Sequence, residues 1–551
     1  MLVETKDIMA TGPNDYVFSP AERPLFPGSP HTPRLSLARR LGYVGVALVV
    51  GLTATLGNAL VNVNFSVIAG STGLYVVEAS WLPAMYVAFN ASANLILVKS
   101  RAQFGIPPVV LGVLSAYALV ALTQVLWPSF GGAFVVRAIS GMAAAALTTY
   151  TIYHLVQAVP VAKRPVAMVI GVVIPQLGTP IARMLPVDLL TAHHWRGIHE
   201  IELAMALFAM AATLALPLPP TERTRAFRPL DFVTIGFLLP ANVLLCGVLG
   251  LGRVVWWTDT PKLGWMLAGA LGCYAAVFLI ERHRAWPLLH LQWLGTADIL
   301  RFAAVTVLVR LALAEQTYGA VGLLTGGGLI NDQLAGLFGW VLVAMICGAI
   351  VAAVAILHAR VPYLVMVSCV IIGIGAILDS RSNSLSRPTQ LLASQMLLGF
   401  GTALFIGPAL LHGFSRMLPH GPRFLVSFVV LFSTTQNVGG LAGSALLGTL
   451  QTVEARVHAG SMAEAMSAAD PAVAERLRQG AAAVSGVIGD PATRSLEGGA
   501  LLGKALAEQA SAAAFDDIFA MVAVLAFATA LFIAVNLGIL RWQATRKEVL
   551  L

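Results

Sequence analysis

Charge is what this sequence has least of. Only 11% of its 551 residues are Asp, Glu, Lys or Arg, 58% are hydrophobic, and the mean hydropathy is +0.82. A soluble globular domain carries roughly 25% charged residues to cover its surface, and a chain this poor in them would expose large apolar patches to water. A soluble fold is therefore excluded. Cysteine is scarce too: the four residues Cys246, Cys273, Cys347 and Cys369 all fall inside apolar runs, with no CxxC spacing. They read as small buried hydrophobes, and neither a disulfide framework nor a metal site is implied. No GxSxG, HExxH or His/Asp cluster is present, which leaves a membrane-embedded enzyme as a remote reading and gives no ground for a cofactor. The formal charge of +8 is spread over short loops and the N-terminus, without a basic stripe interleaved with aromatics, so nucleic acid is not an expected partner. The first forty residues lack the apolar core of a signal peptide. Their Pro-rich polar run Phe26-Pro-Gly-Ser-Pro-His-Thr-Pro-Arg34 reads as a disordered cytoplasmic tail, 1–40.

What the chain does have is apolar blocks of about twenty residues, the length of one bilayer-spanning helix. Fourteen spans are predicted, near 41–66, 77–98, 106–126, 130–157, 164–187, 198–217, 232–252, 263–280, 298–325, 336–357, 361–379, 389–415, 424–450 and 516–541. With the N-terminus inside, one side collects Arg39/Arg40, Lys99/Arg101, Lys163/Arg164, Arg223/Arg225/Arg228, Arg282/Arg284, Arg360, Arg416/Arg423 and Arg541/Arg546/Lys547. The other side holds only Arg196, Arg253, Lys262, Arg381 and Arg387. This positive-inside bias orients the chain with both termini cytoplasmic, and a miscount of one helix would scramble it. Residues 452–515 are too polar to span and too long for a turn. Their Ala-rich helical pattern is broken by Pro471 and Pro491, and the topology puts them outside, as a mobile excursion or a docking element.

Ions at bilayer depth usually face a cavity or a partner. Arg137, Arg183, Arg301 and Arg310 lie outside the loops. Polar stripes at helical spacing run along span one (Thr55, Asn58, Asn62, Ser66), four (Arg137, Ser140, Gly141, Thr148, Thr151), five (Gln176, Thr179, Arg183) and thirteen (Ser433, Asn437, Gly440, Ser444). They point to a shared cavity, with close packing of small residues as the alternative for the Ser, Thr and Gly positions. The substrate-cavity candidates are Asn58, Asn62, Gln176, Thr179, Arg183, Arg310, Gln316 and Asn437. Glu315, in Arg310-Leu-Ala-Leu-Ala-Glu-Gln-Thr-Tyr318, is the deepest carboxyl and the leading candidate for proton coupling, joined by Arg137 and Asp188. Asp298 lies nearer a span end, and His154 and His412 read as packing residues.

The run Asn58-Ala-Leu-Val-Asn-Val-Asn-Phe-Ser-Val-Ile-Ala-Gly70 with Glu78-Ala-Ser-Trp81 resembles the first-helix signature of the fourteen-helix drug:proton antiporters, the EmrB/QacA-like branch of the major facilitator superfamily. Val136-Arg-Ala-Ile-Ser-Gly141 resembles the fourth-helix motif whose arginine takes part in proton coupling. Ala162-Lys-Arg164, Pro180, Trp195-Arg196, Asp231-Phe232 with Gly236, Asn437-Val-Gly-Gly-Leu-Ala-Gly443 and Phe515-Asp-Asp-Ile-Phe519 follow in the family's order. The resemblance implies an all-α membrane protein with the major facilitator fold. Its parts would be a six-helix bundle at 41–217, two extra helices within 218–297, a second bundle at 298–541 and a cytoplasmic tail at 542–551. It also implies proton-driven efflux of small hydrophobic or amphipathic molecules from an inner membrane. The partners it implies are a membrane-fusion adaptor and an outer-membrane channel. A dedicated exporter of an endogenous metabolite, such as an aromatic acid or siderophore, is the nearer alternative. Three departures stand out. The family's first-helix acid falls on Gly57 and its proline on Ser66, and Val98-Lys-Ser-Arg-Ala-Gln-Phe-Gly105 lacks the first glycine and the aspartate of the gating loop. Arg183 near a family glycine favours an anionic substrate.

Overall fold

The structure, a computed structural model, describes residues 22, 29–33, 35–71, 73–221, 223–358, 360–467 and 470–549. Most of the expected N-terminal tail lies outside these residues. The described part is all helical apart from one isolated bridge, Pro30 to Thr221. Helix is what a bilayer demands, because it satisfies every backbone donor and acceptor within the segment.

Spanning helices are numbered here in chain order. The first bundle comprises α1 (Leu37–Val63), α2 (Trp81–Phe104), α3 (Ile106–Leu126), α4 (Phe130–Ala158), α5 (Val161–Met184) and α6 (Val187–Ala215). Next come α7 (Pro229–Leu251) and α8 (Pro261–Arg282). The second bundle holds α9 (residues 297–326), α10 (Asn331–Ala355), α11 (Val361–Asp379), α12 (Leu392–Met417), α13 (Leu425–Ala465) and α14 (Pro491–Val549). Thirteen of these, among the described residues, are long and apolar enough to cross a membrane. The remaining one, α9, is interrupted: Ala297–Ala312 gives way to a π-helical turn, Glu315–Gly319, before Ala320–Gly326 resumes. A π turn inside an α-helix is a frequent mark of a functional site. The chain is a multi-pass membrane protein with both ends of the helix array on one face, called here the terminal face.

Within the first bundle α4 packs on α1, α2 and α3; within the second α12 packs on α10 and α11, and α14 on α11 and α13. The bundles meet along two seams, α2 against α13 and α5 against α10 and α12. The added pair is not loosely attached. α7 lies along α2 and touches α13, with Asn242 Nδ2 donating to Ser92 Oγ at 2.8 Å. Its terminal-face end is clamped by charge: Lys99 Nζ donates to Asp231 Oδ2 at 2.5 Å, and Arg284 also pairs with Asp231 and with Glu281.

Most of the described residues of 452–515 are helical. α13 continues to Ala465 over 41 residues, a short helix runs Pro471–Ala483, and α14 covers 59 residues from Pro491. The two prolines that break the pattern sit in the first turn of each helix, where a missing N–H costs nothing. His458 Nε2 and Asp517 Oδ2, 2.7 Å apart, tie the two long helices together.

Candidate functional site

The polar stripes converge on a cavity of about 670 Å³ between the bundles. α1 turns Thr55, Asn58 and Asn62 into it at helical spacing, and α2 adds Asn90 and Asn94. α5 breaks into a 3-10 turn at Ile174–Leu177, where the Pro175 carbonyl accepts from Thr55 Oγ1; Gln176 and Thr179 then face inward. From the second bundle come Phe414, Phe428 and Phe432, an aromatic wall opposite the amides, with Gln436 and Asn437. Asn437 Nδ2 donates to Asn90 Oδ1 across the seam at 3.0 Å.

The lining carries five arginines (Arg101, Arg164, Arg183, Arg253, Arg310) and, among the described residues, no Asp or Glu. Arg310 donates from Nε to the Gln436 carbonyl at 2.9 Å and forms no ion pair with a described acidic residue. Gly440 makes room for it, since a Cβ there would stand 3.2 Å from that Nε. Arg183 is 7% exposed; its Nη1 donates to Asn331 Oδ1 at 2.9 Å, its guanidinium lies 5.0 Å from the Phe338 ring centre, and its Nε has no partner. Cations held in low dielectric without counterions attract an anion strongly.

Of the residues singled out from the sequence, Asn58, Asn62, Gln176, Thr179, Arg183, Arg310 and Asn437 line the cavity. Gln316 does not; its amide donates to the Gln395 carbonyl at 3.0 Å, toward α12. Ser140, Gly141 and Thr151 are packed among helices, Gly141 against the Tyr86 carbonyl, as close helix packing requires. Arg301 is half exposed beside Asp298, one turn away at 3.8 Å, so it is not an interior charge. Asp188 is exposed in the first turn of α6. His154 packs against the Tyr43 and Tyr150 rings, and His412 against Phe302.

Glu315 and Arg137 sit outside the cavity, each in a buried polar station within its own bundle. In the first, Arg137 of α4 pairs with Glu202 of α6, and the carboxylate also accepts from Tyr117 Oη at 3.0 Å and His199 Nδ1 at 2.9 Å. Gly57 of α1 faces this carboxylate, and a Cβ there would fall on it. In the second, Gln395 Nε2 of α12 lies 3.2 Å from Glu315 Oε1 and 2.7 Å from Asp379 Oδ2, while Ser394 Oγ donates to Asp379 Oδ1. Glu202, Asp379 and Gln395 escaped the sequence reading. Glu202 could have been found as one of two acids, with Glu200, inside the sixth span, three residues after His199. Asp379 closes its span, where an acid reads as a solvated end.

One trio of described residues, Glu454, His458 and Asp517, is close enough to share a metal ion. It joins the extension of α13 to α14, and none of its three residues lines the cavity.

The architecture is the major facilitator fold, and two solved structures share it. One is a bacterial homologue of the human drug peptide transporters PepT1 and PepT2, with a TM-score of 0.53 and 11% identity over 92% of this chain and 99% of that one. The other is the human organic anion transporter MFSD10 (TETRAN), with a TM-score of 0.50 and 13% identity over 90% of this chain and all of that one, 100%. No protein-family model matches the sequence, and no curated protein matches it.

Proposed function

We propose that this chain is a proton-coupled secondary transporter that exports small amphipathic organic anions by alternating access, from the cytoplasmic membrane of a bacterium and with both termini cytoplasmic. One observation carries the reading: a central cavity between two bundles, lined by five arginines, amides and an aromatic wall, with no acid among the described lining residues. The arginines suit a carboxylate or similar anionic head, and Phe414, Phe428 and Phe432 suit an apolar body. The two seams are the places where rocking bundles would open and close access to a site between the bundles. Glu315 is the proposed proton site. An outgoing anion exchanged for incoming protons carries positive charge inward, so the membrane potential adds about 2.3 kcal/mol per charge for each 100 mV.

The breadth of transport separates a multidrug pump from a dedicated exporter of one aromatic acid or siderophore, and the same assay reads it. Inverted vesicles are given a panel of labelled aromatic acids and lipophilic cations, with and without an acidic lumen. Acids should accumulate only with the gradient, and Arg310→Gln should cut this by about tenfold or more, the loss of one charge-assisted contact. Equal accumulation of the cations, or no effect of Arg310→Gln, would reject an anion site.

A further inference from the structure

We infer that Glu315 and Asp379 form a single proton-binding dyad bridged by Gln395, and that the Arg137–Glu202 pair is its permanently charged counterpart in the other bundle. The inference deepens the proposed function and rests on its assignment of coupling to Glu315.

The two stations occupy comparable places. α9 opens the second bundle as α1 opens the first, and α12 is its fourth helix as α4 is the first bundle's. Gly57 and Glu315 lie in the second halves of the opening helices, while Arg137 and Gln395 lie in the first thirds of the fourth ones. The difference is charge balance. The first station has one carboxylate, one guanidinium and donors for both carboxylate oxygens. Its charges cancel, and no proton is needed.

The second station has two carboxyls and no cation among the described residues that face it. Glu315, Asp379 and Gln395 are 0%, 1% and 0% exposed. α12 offers Ser394 and Gln395, and α14 offers Phe515 and Phe519, packed on Gly322 and Gly319. Asp517 of α14 pairs with His458 instead. On α9 itself, Arg310 and Tyr318 turn into the cavity. Two carboxylates buried together without a cation hold a proton between them in this closed arrangement, and can release it only when the station opens to water. The hydrogen-bond count agrees. Gln395 Nε2 and Ser394 Oγ are the donors present, and the buried acceptors Glu315 Oε2 and Gln395 Oε1 are left with none. A proton on Glu315 converts one of these orphaned acceptors into a donor.

The dyad also has a mechanical route to the cavity. Glu315 opens the π turn whose Thr317 and Tyr318 line the cavity wall, and Arg310 lies on the same helix. Loss of the proton places a net charge on that turn and biases its geometry where it meets substrate. The π turn is the element both sites share.

The test uses purified full-length protein in liposomes and reads two transport modes, gradient-driven accumulation of a labelled aromatic acid and gradient-free counterflow. Glu315→Gln and Asp379→Asn should each lower accumulation ~10-fold or more while keeping counterflow. The double variant should lose no more than either single one, because the pair acts as a unit. Gln395→Lys, which supplies the missing cation, should uncouple in the same way. Wild-type accumulation in Asp379→Asn alone would overturn the dyad and leave Glu315 as a solitary site. Wild-type accumulation in Glu315→Gln would remove the proton site itself. A measurement independent of transport is the infrared C=O stretch of a protonated carboxyl at neutral pH. It should be present in the wild type, shifted by Asp379→Asn and removed by Glu315→Gln. Its absence from the wild type overturns the dyad, even if the substrate class proves wrong.

Discussion

At the scale of single residues, Gly57 is the position whose meaning changed most between sequence and structure. As a missing first-helix acid it looked like a lost function; in the fold it is the space that Glu202 fills from α6. Gly57→Ala should cost about 1–3 kcal/mol through overpacking against that carboxylate, read as a lower melting temperature in detergent. The Arg137–Glu202 pair gives a sharper contrast. Arg137→Met strands a buried carboxylate and should cost about 3–5 kcal/mol, whereas a double change of Arg137 and Glu202 to Met should recover most of that loss. If the double variant melts no higher than the single one, the pair is not acting as a compensated unit. Arg310, Arg183 and Glu315 were legible in the sequence because an ion in an apolar run has few reasons to be there. Their partners were not, since contacts such as Glu315 with Gln395 are 80 residues apart and follow from helix rotation that no period encodes.

At the scale of elements, hydrophobic length placed the spans, and the structure shows a helix at every one of the fourteen. Two features lay beyond that signal. The π turn of α9 leaves composition untouched, so the ninth span reads as continuous. The extension 452–515 reads as a loop because it is polar, although polarity excludes only the bilayer and not the helix. The charges at the terminal-face end of α2 have a similar lesson. The gating loop lacks its aspartate, yet Lys99 still finds one, Asp231 at the start of α7. This makes the added pair part of the seam between bundles. Asp231→Asn leaves Lys99 and Arg284 without their shared carboxylate. It should loosen α7 and α8 and expose residues 218–228 to protease, while Lys99→Asn, which leaves the Arg284–Asp231 pair in place, should do so less. Equal resistance in both variants would mean that α7 is held by its apolar face alone.

At the scale of the whole molecule, α13 and α14 are far longer than a bilayer requires. A 41-residue helix rises about 60 Å, twice the ~30 Å hydrocarbon core. The surplus of α13 stands beyond the face opposite the termini, joined to α14 by the His458–Asp517 contact and by Gln451 Nε2 donating to Ser511 Oγ at 2.9 Å. The cavity is lined by the spanning helices and by flanking residues such as Ser29, Pro30, Thr32 and Arg253, and has no lining residue beyond Ala445. The proposed transport and any contact made by the extension therefore use largely separate parts of the chain. Replacing 458–510 with a short linker should leave the protein inserted and vesicle transport unchanged. In whole cells the same change should abolish passage across the outer envelope if the extension docks an adaptor. Normal export from those cells would rule out a docking role. Loss of transport in vesicles as well would instead make the extension a brace that holds α13 against α14, and with it the wall that carries Gln436 and Asn437.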